Sequence, residues 1–141
     1  MSSYSRIIFF LCLAVLPFSV QPESTLAQQM EVVAGGELEY QTSCAVCHGV
    51  DARGQGIMSR HLIMQPANLR HLTQSGGGKF PFWEVYRVIE GRGVVPGHGS
   101  RDMPVWGDRF RADARGDGKS AQIQAAGRIL SLVFYLEHIQ E

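Results

Sequence analysis

Thiols, charge of one sign and long apolar runs are all in short supply in this sequence. Cysteine occurs only at positions 12, 44 and 47 of 141 residues. There is no second Cys-x-x-Cys pair, and His61, His71, His98 and His138 form no compact pair, so the four ligands of a structural zinc site are not assembled. Thirteen Lys and Arg balance thirteen Asp and Glu, and with a formal net charge of zero nothing suggests nucleic acid as a partner. The apolar run Ile7 to Leu16 is too short to cross a bilayer comfortably. It follows a polar start with a single positive charge, ends at Pro17, and leads to Thr25-Leu26-Ala27, where a signal peptidase could cut. Residues 1–27 are expected to be a secretory signal peptide and 28–141 a single domain. The membrane enters only if that first segment is retained as an anchor.

Loss of Cys12 with the signal leaves Cys44 and Cys47, and these stand in the stretch Cys44-Ala45-Val46-Cys47-His48. Two thiols separated by two residues, with a histidine directly after the second, are what covalent haem attachment requires. Each thiol adds across one vinyl group, and the histidine lies beneath the iron. A redox dithiol would want a βαβ context, which the sequence does not show. The cofactor expected is one haem c, held through Cys44 and Cys47. His48 is the proximal ligand, its other ring nitrogen donating to a backbone carbonyl in the loop that follows. Both thiols are then consumed, leaving none for a disulfide. Export agrees with this, because c-type haem is attached outside the bacterial inner membrane.

Along the chain, a helix is expected from about Glu31 to Ser43, with Gly36 and Tyr40 on one face, although Gly35-Gly36 could instead mark its start. Residues 49–56 read as a glycine-bearing loop, 57–73 as an irregular, partly buried loop interrupted by Pro66, and 75–78 as a flexible connector. Phe80 to Glu90 is the clearest helix. Pro81 stands at its start and Gly91 past its end, and Phe82, Val85, Tyr86 and Ile89 form one stripe. Trp83 is expected to pack under the adjoining loop. A long glycine-rich loop then carries His98, Met103 and Trp106. Residues 108–119 read as a solvated connection, and a last helix runs from Ser120 to about His138 with Ile123, Ala126, Gly127, Leu130, Val133, Phe134 and Tyr135 on its apolar face.

The sixth iron position decides what a haem protein does. Met103 is favoured, since a glycine-rich loop precedes it and Pro104 stiffens the chain after it; His98, Met58 and Met64 are the rivals. At this point Gly36-Glu37-Leu38-Glu39-Tyr40, Cys44-Ala45-Val46-Cys47-His48-Gly49, Asp102-Met103-Pro104-Val105-Trp106-Gly107 and the helix containing Tyr135-Leu136 together resemble a class I monohaem cytochrome c. The resemblance implies an all-α fold, with three main helices and long loops wrapped around one covalent haem. It implies that the first and last helices cross at Gly36, Tyr40 and the Phe134-Tyr135 region, and that Met103 is the distal ligand. Many members carry a proline after the haem motif whose carbonyl orients the histidine. Ile57 stands at the comparable place here, so Ile57 or a close neighbour is expected to serve. Arg92 and Arg101 are candidates for propionate contacts, and Trp106 for packing that edge.

The function expected is that of a periplasmic one-electron carrier meeting donor and acceptor proteins through small, weak contacts, not an enzyme. A haem enzyme or gas sensor with a labile methionine, and an electron-accepting subunit of a dehydrogenase or oxidase complex, remain alternatives. Arginines in the middle of the chain could steer towards an acidic partner or pair with propionates and local acids.

Overall fold

The computed structural model describes residues 23–93 and 103–141. Of these, 66% are helical and none lies in a strand, so the described residues form an all-α structure. Among the described residues no helix is long and apolar enough to cross a membrane. The body is built on two long helices, α1 (Glu23–Ser43) and α6 (Gly118–His138). Between them come the one-turn helices α2 (Ala45–His48) and α3 (Leu72–Ser75), then α4 (Phe82–Glu90) and α5 (Trp106–Asp113). The expected signal peptide and the residues His98 and Arg101 lie outside the described residues, apart from 23–27, which form the first turns of α1.

α1 begins at Glu23 rather than Glu31, because Leu26, Ala27, Gln28, Gln29 and Met30 are good helix formers with no glycine or proline among them. Gly35-Gly36 is therefore mid-helix and not a start. Such a pair weakens a helix by about 1 kcal/mol per glycine relative to alanine, and the crossing explains one of the two. A Cβ on Gly36 would collide with the backbone carbonyl of Ser131 and with Cβ of Tyr135, while a Cβ on Gly35 would meet nothing. α1 and α6 thus cross backbone to backbone at Gly36. One turn on, Tyr40 is fully buried with its ring 5.4 Å from that of Tyr135.

Phe134, expected at the same crossing, instead packs on Phe82 of α4 at 5.1 Å. The buried stripe of α6 is Ala121, Ala125, Ile129, Leu132, Val133, Tyr135 and Leu136, and Ile123 is exposed. Val133 and Tyr135 of the expected face are buried, but its centre is shifted: Ala125, Ile129, Leu132 and Leu136 share the buried face, whereas Ile123 falls on the opposite one. Ile129, Leu132, Val133 and Leu136 each contribute about 1.5–3 kcal/mol by this burial.

α4 matches its sequence signals. Gly91 closes it in the left-handed conformation at φ 101°, donating its N–H to Arg87 O at 3.0 Å. Trp83 departs from expectation: it is 64% exposed, edge-on to Phe82 and Tyr86, because the stripe of buried Ile89 and half-buried Phe82, Val85 and Tyr86 turns position 83 outward. α5 was not expected at all. Its charges read as a solvated connection, yet Trp106 and Phe110, four residues apart, are both buried with rings 5.5 Å apart, and Asp108 pairs with Arg111 on the outer face. Arg128 of α6 ties the helices together. Its guanidinium donates to both oxygens of Glu39 on α1 at 2.8 Å each and lies over the Phe110 ring at 3.9 Å.

Candidate functional site

α1 runs to Ser43, and Cys44 follows as the N-cap of α2. A one-turn helix leaves most of its carbonyls without partners of its own. The returning loop supplies them: Met58, Gly56 and Gly54 donate their N–H groups to Val46 O (2.9 Å), Cys47 O (3.0 Å) and His48 O (2.7 Å) in turn. Glycine is required for that approach. At Gly56 a Cβ would press into the backbone of Cys47, and at Gly54, whose φ is +81°, into the Pro66 carbonyl. From the other side, the buried Tyr40 hydroxyl donates to Gly49 O at 2.6 Å, fixing the residue after His48 to α1.

Cys44, Cys47 and His48 are thereby held on a single turn, both cysteines as free thiols. Burial, with lesser contributions from the nearby Glu39 and Cys47, pushes the Cys44 thiol up to about 12. The thiol therefore stays protonated and slow to oxidise at neutral pH. The His48 ring is half-buried, and its Nδ1 lies 3.2 Å from Ala67 O. A carbonyl can only accept, so Nδ1 carries the proton and Nε2 presents a lone pair. Burial lowers the His48 pKa, the Ala67 bond offsetting part of this, which keeps the imidazole neutral at pH 7.

The orienting carbonyl belongs to Ala67 and not to Ile57. Gly56 and Met58, on either side of Ile57, face the turn with their N–H groups, and the Ile57 side chain is 69% exposed. The segment that turns a carbonyl to the ring is Gln65-Pro66-Ala67, anchored through the Gln65 amide on Gly54 O. Ala67 was missed because a backbone acceptor leaves no mark in a side-chain pattern. Pro66, the interruption in the irregular loop, was the available signal.

Met103 is half-buried and packs against the core cluster that contains Tyr40, Trp106 and Phe110 and against which Cys44 also packs. Trp106 is buried and opens α5. Arg92 is exposed, pairs with Glu90, and lines a shallow groove on α4 with Trp83, Tyr86 and Arg87. The thiol turn, Met103 and Trp106 thus share one core, while Arg92 and Ile57 stand on the surface.

The donor set fits a covalently bound haem. Two reduced thiols and a neutral histidine with Nε2 available occupy one turn, and the loops attached to it leave Val46, Ile57, Met58, Ile63 and Met64 uncovered, a supply of apolar surface for a flat apolar ring. Among the described residues no group of three or more His, Cys, Asp or Glu is gathered as a metal-ion site would need. No family model, curated protein or solved structure matches this chain.

Proposed function

We propose that this chain is an exported one-electron carrier that holds a single haem c through thioether bonds to Cys44 and Cys47, with His48 and Met103 as the residues that would ligate its iron. The observation that carries the proposal is the His48 ring, placed on the same turn as two free thiols and fixed by Ala67 O in the tautomer that offers Nε2. When bound, the haem supplies a one-electron iron couple whose potential a neutral thioether ligand raises relative to a second histidine.

The rest belongs to the chain. Cys44 and Cys47 fix the group covalently, and Ala67 O holds the imidazole against rotation. Tyr40 and the glycines at 54 and 56 keep the turn rigid, so little rearrangement accompanies a change of charge. Met103, half-buried against the common core, would supply the second ligand, a neutral thioether. Donor and acceptor are redox proteins that touch briefly, and the compartment is the periplasm.

A redox titration recorded spectroscopically on the exported protein tests this. Low-spin iron with one reversible wave is expected, and Met103→Ala should lower the potential and open the iron to carbon monoxide. High-spin iron in the parent protein that takes up carbon monoxide at once would sink the carrier and leave a haem enzyme or gas sensor.

A further inference from the structure

The two loops bonded to His48, 49–58 and 65–73, meet at the side chains of Gln140 and Glu141. Glu141 accepts from Arg53 Nη2 at 2.6 Å and from Arg70 Nε at 2.7 Å, and its other oxygen lies 3.4 Å from His71 Nε2. Gln140 spans the second loop, donating to Leu69 O at 2.7 Å and accepting from Thr73 N–H at 2.9 Å. The Glu141 N–H closes the set on Arg70 O at 3.0 Å.

These anchor points stand next to the two bonds that fix His48. Arg53 precedes Gly54, whose N–H donates to His48 O. Leu69 is two residues beyond Ala67, whose carbonyl holds the His48 ring, and its own N–H is tied to Ala52 O at 2.9 Å. A surface ion pair taken singly does little, but one carboxylate shared by two guanidiniums and the His71 ring, beside an amide bridging two backbone groups, restrains both loops together.

We infer that Gln140 and Glu141 are positioning residues for His48. They clasp the 49–58 and 65–73 loops, so that Ala67 O stays on Nδ1 and Nε2 stays available. This rests on His48 serving as the haem ligand, and it adds a role for residues far from the motif in sequence.

The test is the exchange rate of the His48 Nδ1 proton, followed by nitrogen-resolved NMR in the reduced, exported protein. Gln140→Ala should speed exchange about tenfold, the loss of roughly one hydrogen bond's worth of restraint, and Glu141→Gln should move it in the same direction by less. Arg128→Ala, which cuts the Glu39 pair elsewhere, should lower overall stability and leave the exchange rate unchanged. An unchanged rate in Gln140→Ala, or equal acceleration in Arg128→Ala, overturns the inference. A protein that carries no haem refutes the proposed function separately. The clasp is then read from the imidazole nitrogen shifts of the haem-free chain, with Nδ1–H expected in the parent and mixed tautomers in Gln140→Ala; identical shifts in the two overturn it.

Discussion

The α1–α6 crossing and the loops from Gly49 to Gly78 are built on opposite principles. At the crossing, side chains bury one another: Tyr40, Ile129, Leu132 and Val133 are all but inaccessible, and Gly36 lets the backbones touch. In the loops only Ala52, Leu69 and Leu72 turn to the core; backbone hydrogen bonds carry much of the structure while Val50, Ile57, Met58 and Met64 stay outside, to the extreme of Ile63 at 96% exposure. One half completes itself. The other holds a histidine and two thiols in place and leaves apolar surface for something else to cover, which is the arrangement a covalent haem would exploit.

Substitutions that treat the two halves alike should give unlike results. Leu132→Ala, in the self-sufficient half, is expected to cost about 2–5 kcal/mol, read from the urea midpoint. Gly36→Ala should cost about 1–3 kcal/mol by forcing α6 away from α1. Its neighbour provides the opposite sign: Gly35→Ala adds helix propensity in open space and should stabilise by about 0.5–1 kcal/mol. In the loop half, Ile63→Ser should change the midpoint by no more than about 0.5 kcal/mol, since it removes no packed contact.

The smallest effect is a pH dependence. The Glu141 carboxyl is held below the usual carboxylate range, chiefly by the Arg70 hydrogen bond, with Arg53 and His71 adding to it. A lowered folded-state pKa stabilises at pH values above the unfolded one, and that contribution disappears as pH falls through the folded value. The parent should therefore exceed Glu141→Gln in thermal midpoint near neutrality. The two should converge in acid below the ordinary carboxylate range.

How far the sequence could be read follows the same division. α4 was legible because its stripe, Pro81 and Gly91 all agree, and the Gly36–Tyr40 face of α1 because a small residue beside an aromatic marks a crossing. α5 was not, because its run of arginines and acids hides the four-residue spacing of Trp106 and Phe110. The centre of the α6 face was misplaced because Ile123 is apolar yet exposed and Phe134 turns to Phe82 of α4, and hydrophobicity by itself cannot say which of two overlapping stripes is buried.

In the site, the thiols and His48 were legible as a local spacing. What fixes them was not. Ala67 acts through its carbonyl, Gly54 and Gly56 through the absence of a Cβ, and Gln140 and Glu141 from the far end of the chain, so none of them leaves a local side-chain signature.

The central claim is that Cys44 and Cys47 carry haem. Intact mass spectrometry of the folded protein, exported in a host able to attach c-type haem, measures this directly. The account predicts a gain of one haem that survives denaturation, is kept through one remaining bond in Cys44→Ser, and is lost when both cysteines are replaced. A folded, exported protein with two alkylatable thiols and no added mass would contradict it.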